Sequence, residues 1–447
     1  MNKPVDITPA EMAEAAPFWL EGNYAPVKEE LTAFDLEVTG TIPPELNGRY
    51  FKNGANPPSG KSLHWFVGHG MIHGVEISNG KAQWYRNRYV QTPILQEENP
   101  NIMAMADPAN SLANTHIVSH AGRIFALEEG HLPIEMSKDL ATLGPYNFDG
   151  KLKTSMTAHP KICPDTGEML FFGYGLFPPY MTYYRAAASG ELLQIEEIPV
   201  KGSTMVHDFN VTQNYVIFMD LPMVWDISKI MEGGLQVKFD HDYGARLGVM
   251  PRNGSVKDLR WFEIEPCYVF HPMNAHEAGD EIIIDVCRMA EDRVNSPSAK
   301  LFQWTLNLKT GAVGERQLDD ADIEFPKTAD SRVGKPYRYG YAAEFISGSP
   351  ISPQCIAYHK YDMHSGSRTS HRFANGRVGS EAVFVPAAGG TAEDDGYLLS
   401  YVYDAAENKS ELVIMDASNM ASDPIARIHL PARVPVGFHG SWIPNAT

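Results

Sequence analysis

Gly74-Val75-Glu76-Ile77-Ser78-Asn79-Gly80-Lys81-Ala82-Gln83-Trp84-Tyr85 reads as two short strands joined by a tight turn. The Asn-Gly pair supplies the positive φ values that a two-residue hairpin requires, and β-forming residues flank it on both sides. The device recurs. Asp165-Thr166-Gly167-Glu168 precedes Met169-Leu170-Phe171-Phe172, and Lys309-Thr310-Gly311 follows Phe302-Gln303-Trp304-Thr305-Leu306. Ser189-Gly190-Glu191 and the stretch around Asp416-Ala417-Ser418 read as similar hairpins. These turns are unevenly spaced but run the length of the chain, which fits all-β architecture of four-stranded meanders around an axis, a β-propeller. A pair of β-sandwich domains is the alternative, and the absence of a linker counts against it.

Composition agrees with that choice. A chain of 447 residues exceeds the usual single-core size, and a repeat architecture lets one domain reach that length. Its 37 glycines and 32 prolines are scattered, as many turns require, and exceed average usage of about 7% and 5%. We therefore expect one domain over 1–447, with an N-terminal extension over 1–22 that holds a short helix near 9–20. The net charge of −18 is spread along the chain, disfavours nucleic acid and anionic lipid, and serves solubility. Cys163, Cys267, Cys287 and Cys355 are too far apart for a zinc ribbon or redox pair and read as buried free thiols in a reducing compartment. No basic-then-apolar leader opens the sequence, and no run reaches about 18 apolar residues. The expectation is a soluble cytoplasmic protein. Residues 94–113, 174–184 and 220–258 read as irregular lids or binding surfaces.

Four histidines share a similar setting: Thr157-Ala158-His159-Pro160, Met205-Val206-His207-Asp208-Phe209, Val269-Phe270-His271-Pro272 and Gly437-Phe438-His439-Gly440-Ser441-Trp442. The successive spacings are 48, 64 and 168 residues. On a propeller, inner strands of different blades converge on the axis, so residues this far apart can meet at one metal site. The spacing does not separate iron from zinc or copper. His64, His69 and His73 are closer in sequence, but no carboxylate interleaves them, and we read them as structural.

Further stretches carry a family resemblance. Leu46-Asn47-Gly48-Arg49-Tyr50-Phe51-Lys52-Asn53-Gly54-Ala55-Asn56-Pro57, His64-Trp65-Phe66, Gly70-Met71-Ile72-His73-Gly74, Ala113-Asn114-Thr115 and Asp394-Asp395-Gly396-Tyr397-Leu398-Leu399, taken with the four histidine segments, closely resemble the carotenoid cleavage oxygenase family. The resemblance runs from about Leu36 to Trp442. It implies a seven-bladed propeller with a loop and helical cap over non-haem Fe(2+), held by His159, His207, His271 and His439. It also implies three glutamates behind those ligands, matched here by Glu129, Glu381 and Glu411. Glu129 is chosen over Glu128 by alignment to Gly130 and Leu132-Pro133. Thr115 matches a threonine beside an open iron position, and no other catalytic residue is implied. His69, Lys52 and Ala55 depart from the family pattern, which has aspartate, arginine and proline there.

The implied activity is cleavage of a C=C bond of an apocarotenoid-like polyene by O2, giving two carbonyl products, with an apolar small molecule and O2 as the only partners. Oligomeric state is left open, as is a peripheral membrane contact for collecting substrate. Cleavage of a stilbene or phenylpropenoid double bond of lignostilbene or isoeugenol type is the nearest alternative. Retinyl ester isomerisation and a pure binding module are the others. Glu128 stands where phenol-cleaving relatives tend to carry a lysine, and an unpaired carboxylate is costly to bury there. Thr92-Pro93-Ile94-Leu95 offers aliphatic side chains where those relatives place a phenol. Met103, Met105, Leu176, Phe177 and Tyr180 are the expected lining of an apolar tunnel.

Overall fold

The computed structural model describes residues 17–96, 104, 106–231, 237–290, 299–346 and 353–445. Seven antiparallel sheets follow one another along the chain and form a seven-bladed propeller. The second blade runs His116–His120, Arg123–Leu127, Ile134–Met136, Thr142–Pro145, and the third Lys161–Ile162, Met169–Tyr174, Met181–Ala186, Leu192–Glu197. The fourth, fifth and sixth repeat the four-strand meander, starting from Asn210–Val211, Tyr268–Ala278 and Ile323–Lys327. These starting strands lie innermost: Tyr268–Ala278 touches both Asn210–Val211 and Ile323–Lys327, and Gly440–Pro444 touches both His116–His120 and Val383–Pro386.

The two ends of the chain close the ring. Gly440–Pro444 supplies the inner strand of the first blade by pairing with Gly48–Lys52, and Val38–Gly40 supplies an outer strand of the seventh by pairing with Ala426–His429. The opening hairpin turns at Asn79 and Gly80, both at positive φ, and pairs Ser78 with Lys81.

Blades bury both faces, so their middle strands carry continuous apolar runs. Phe171 packs with Phe125 and Leu127 of the second blade, whereas its neighbour Phe172 packs with Val216 and Phe218 of the fourth. Consecutive residues thus serve opposite interfaces, as the two-residue strand period dictates. The outer strand Leu192–Glu197 faces solvent on one side and alternates accordingly.

Several local expectations change. Met181–Ala186 is a regular strand, so only the turn at 175–180 remains of the proposed lid at 174–184. The stretch 220–258 holds a small sheet, Met223–Trp225 with Val237–Phe239, a helical turn Ile227–Met231 and the blade strand Ala245–Pro251. After Asp416 the hairpin to Ala426–His429 closes through a nine-residue link, not a tight turn, and Asp416 Oδ1 accepts from the backbone and hydroxyl of Ser418. Of the N-terminal helix expected over 9–20, residues 9–16 lie outside the described residues, and Phe18–Leu20 forms a single 3-10 turn. Phe18 packs on Tyr24, Tyr24 on Trp65 and Trp65 on Phe438, forming an aromatic cap over the segment that leads to His439. Among the described residues no helix is long and apolar enough to cross a membrane, and all four cysteines are free and buried.

The glycines and histidines of the segment 64–74 are structural. His69 donates from Nε2 to the Ile94 carbonyl at 2.9 Å, and His73 Nδ1 lies 2.9 Å from the Tyr85 hydroxyl. A Cβ on Gly70 would stand 2.1 Å from the Ala113 carbonyl oxygen, which locks the first blade against the chain leading to Thr115. Gly70→Ala should therefore destabilise the protein by roughly 1–3 kcal/mol through overpacking against backbone, read as a lower urea midpoint with unchanged slope. Burial pushes the His73 imidazole down to about 3. The unfolded chain takes up that proton near pH 6.5, so its contribution is intact above 6.5 and is lost as pH falls from 6.5 towards 3. His73→Gln should lower stability at neutral pH but shed about 1.4 kcal/mol per pH unit less on acidification, measured by urea titrations between pH 7 and 4.5.

Candidate metal centre

Each of the four histidines sits at or just before an innermost strand. His159 precedes Lys161–Ile162, His207 precedes Asn210–Val211, and His439 immediately precedes Gly440–Pro444. His271 lies within Tyr268–Ala278, where the register shifts between Val269 and Pro272 and turns its ring towards the axis. The Thr157 hydroxyl ties two of these segments together, accepting from His159 N at 3.1 Å and donating to the His207 carbonyl at 3.3 Å. His439 N donates to the Thr115 carbonyl at 3.1 Å, and the His439 carbonyl accepts from Asn53 N at 2.9 Å.

The rings meet through their Nε2 atoms. His159 to His207 is 3.0 Å, His207 to His271 is 2.9 Å, and His271 to His439 is 3.1 Å. The Nδ1 atoms of three rings point outwards to carboxylates: His207 to Glu129, His271 to Glu324 at 2.5 Å, and His439 to Glu381 at 2.9 Å. A carboxylate fixes the proton on Nδ1, so Nε2 carries a bare lone pair on each of these rings. Among His207, His271 and His439, neighbouring lone pairs at about 3 Å repel, and no neutral ring of the three can donate to another. The donor set therefore fits a cation bound at its centre, and all four residues offer ligand atoms within 4.8 Å of one another.

Electrostatics agree for three of the four rings. Burial, followed by the neighbouring imidazoles, holds His159, His271 and His439 well below the usual histidine range. Burial acts on His207 in the same direction, but the Glu129 carboxylate outweighs it and the net shift is upward. Burial pushes the Glu324 carboxyl up to about 8.

The third carboxylate corrects the sequence expectation. Glu411 pairs with Arg377, with Arg427 at 3.2 Å and with His429 Nδ1 at 3.2 Å, on the seventh blade and apart from the four rings. Its place is taken by Glu324, in Ile323-Glu324-Phe325-Pro326-Lys327, an acidic residue inside an apolar inner strand. Glu129 and Glu381 stand where expected. Glu128, the rival of Glu129, pairs with His131 instead. Tyr174 donates to the second oxygen of Glu129 at 2.7 Å.

Other expected contacts are less direct. Leu176, Phe177 and Tyr180 belong to the turn after Tyr174, where Gly175 N bonds the Tyr180 carbonyl; Phe177 is 67% exposed and faces solvent, not an enclosed tunnel. Met103 and Met105 lie outside the described residues. A closer apolar wall went unnoticed in the sequence: Phe270 stands edge-on to His207 with centroids 5.1 Å apart, Phe66 packs on Phe270 and Phe438, and Phe325 stacks on His271 at 5.4 Å. His116 was also missed. It is buried between His159 and His439, with Nδ1 2.7 Å from the Ala158 carbonyl and Nε2 3.3 Å from the Ser441 hydroxyl, and so bridges the two ligand-bearing segments. The Ala158 carbonyl can only accept, which makes Nδ1 the protonated nitrogen of His116.

Comparison with known proteins places this geometry. The family model described as Retinal pigment epithelial membrane protein matches residues 24–444. A carotenoid cleavage oxygenase of Mycobacterium tuberculosis is 37% identical, the alignment covering 98% of this chain and 100% of that protein. A carotenoid 9,10(9',10')-cleavage dioxygenase of Crocus sativus is 35% identical over 95% of this chain and 89% of its own length. Among solved structures, the lignostilbene dioxygenase of Pseudomonas brassicacearum superposes with a TM-score of 0.89 at 30% identity, covering 96% of this chain and 98% of that one. The apocarotenoid oxygenase of Synechocystis gives 0.84 at 26% identity with the same coverage. With a family model spanning the propeller and relatives matched along almost their whole length, the chain belongs to the carotenoid cleavage oxygenase family and is an enzyme of that dioxygenase class.

Proposed function

We propose that the protein is a single-domain iron(II) dioxygenase that cleaves a C=C bond of an apolar conjugated substrate, the two oxygen atoms of O2 ending in two carbonyl products. The observation that carries this reading is the convergence of four Nε2 lone pairs, three of them backed by carboxylates on Nδ1. His159, His207, His271 and His439 would hold the metal. When bound, iron(II) would supply the site at which O2 is activated beside the alkene.

The chain's own residues do the rest. Glu129, Glu324 and Glu381 fix the ring orientations and keep each Nδ1 protonated. Thr115, whose carbonyl receives His439 N, directly precedes His116–His120, the inner strand of the second blade, and would stand beside the open metal position. Phe270, Phe66, Phe438 and Phe325 exclude water and receive an apolar substrate. Nearby hydroxyls are already committed, Tyr174 to Glu129 and Tyr268 to the Met205 carbonyl at 3.2 Å. No proton need be moved by a side chain, since alkene plus O2 balances to two carbonyls.

An apocarotenal or related linear polyene is the substrate we favour. The aromatic wall suits a polyene, and an acidic Glu128 paired with His131 offers no cation to grip a phenolate. The second reading, a stilbene or phenylpropenoid, draws on the high structural similarity to lignostilbene dioxygenase. The four buried free thiols support a cytoplasmic setting.

The deciding experiment is metal analysis followed by kcat/KM for apocarotenals, lignostilbene, resveratrol and isoeugenol, with mass spectrometry of the aldehydes. We expect iron and a preference for the polyene; a clear advantage for any phenolic alkene reverses the order of the two readings. Alanine at any of the four histidines should abolish activity by removing the metal while the far-ultraviolet spectrum persists. Glu324→Gln should weaken metal retention by about 10- to 100-fold, and Glu411→Gln should leave it unchanged, both read by iron content after dialysis against a chelator.

A further inference from the structure

The inner strand of the sixth blade, Ile323–Lys327, carries more of the centre than the carboxylate it gives to His271. In a regular strand, residues three apart point to opposite faces. Here Glu324 pairs with Ala343 and Lys327 with Tyr341, so three steps on one strand oppose two on the other, and one extra residue sits between. Phe325 takes it up at φ 52, a left-handed conformation for a bulky side chain, and its N–H caps Glu324 Oε2 at 2.8 Å. The bulge reverses the parity, and Glu324 and Lys327 both turn to the site.

Lys327 Nζ lies 3.1 Å from Glu381 Oε1, the oxygen that accepts His439 Nδ1–H at 2.9 Å. The other oxygen of Glu381 accepts from Gly440 N at 2.7 Å. Glu381 is thus held at three points, two belonging to the segment that carries the ligand and one to a different blade. Its side chain is 2% exposed, and a carboxylate so buried needs a cation as well as hydrogen bonds. Glu129 relies on the Tyr174 hydroxyl and Glu324 on a backbone N–H, so each carboxylate has a different outer partner.

We propose that Lys327 is a positioning residue of the metal centre: its ammonium clamps Glu381 against His439 Nδ1 and Gly440 N, and thereby sets how firmly His439 holds the metal. One bulged strand then governs two neighbouring ligands, His271 through Glu324 and His439 through Lys327 and Glu381. The inference rests on the four-histidine reading of the metal site.

The test compares wild type, Lys327→Met, Lys327→Arg, Glu381→Gln and the Lys327→Met/Glu381→Gln double variant. Each is loaded with ferrous iron under argon, and the release half-time to an iron(II) chelator is measured beside Tm of the apo and loaded forms. Lys327→Met should release iron about 10- to 100-fold faster and lose most of the iron-induced rise in Tm. Lys327→Arg should restore release to within about threefold of wild type, since it keeps the charge. The double variant should release iron no faster than Glu381→Gln alone, because both changes break one chain of contacts. Should Lys327→Met fail to fold, Lys327→Gln, which keeps a donor, carries the same comparison. Wild-type release from the folded variant, or additive effects in the double variant, overturns the assignment. Wild-type protein that holds no ferrous iron overturns the metal reading and this inference with it.

Discussion

Four imidazole lone pairs directed at one point form the constraint on which the rest of this structure depends. Left to themselves, nitrogens 2.9–3.1 Å apart without a shared proton would turn away from one another. They are kept in place because three of the rings are fixed from behind by carboxylates and the backbone segments are fixed from the side. The propeller suits this task. It brings seven inner strands to one axis, so single residues from remote parts of the sequence can be opposed without any long loop reaching inward. Closure by Gly440–Pro444 on Gly48–Lys52 matters for the same reason, since His439 is the residue immediately before that strand.

The inner strands divide the work unevenly. Those of the first, third, fourth and fifth blades bring the histidines, and those of the sixth and seventh bring Glu324 and the approach to Glu381. The second brings Thr115 and His116, which bond the segments of His439 and His159 through backbone. Buried carboxylates are costly without compensation, and these have it in different measure, Glu324 Oε1 being left without a hydrogen-bond partner. Tyr174 answers Glu129, the Phe325 N–H answers Glu324, and Lys327 with Gly440 N answers Glu381. Asp208, 3.8 Å from His159 Nδ1, is answered by Lys161 at 2.7 Å. Charge of both signs is therefore distributed around the rings, which is how an interior tolerates so many ionisable groups.

The hairpins were legible because Asn-Gly and its relatives act locally, and the four histidines because each sits among small, apolar or aromatic neighbours. The third carboxylate was not. Glu324 lies in a strand whose period-two reading assigns one residue to each face, and nothing in Ile-Glu-Phe-Pro-Lys announces the bulge that changes the assignment. Glu411 misled for a related reason: it does hold a histidine, but that residue is His429 on the outer part of its own blade. Burial does not separate the two cases, since the side chain of Glu411 is as buried as that of Glu129; only position at the axis does. The stretch 174–184 reads as a lid from its Met and aromatic residues, but Met181, Tyr183 and Tyr184 fill the interfaces of a blade buried on both faces.

How the centre meets its substrate follows from what surrounds it. The cap side is aromatic, from Phe18 through Trp65 and Phe66 to Phe270 and Phe438, with Phe270 against a ligand ring. Polar groups closest to the rings are already paired in fixed directions, so they can orient the ligands but have little left to offer a substrate. A site of this kind discriminates by shape and by the fit of an apolar chain against aromatic faces, where one methylene more or less changes binding by about 1–3 kcal/mol. A hydroxylated substrate is disfavoured only if its oxygen must be buried without a partner, which costs of the same order. Discrimination between a polyene and a phenolic alkene therefore turns on the walls around the four rings, and Glu128 is held by His131.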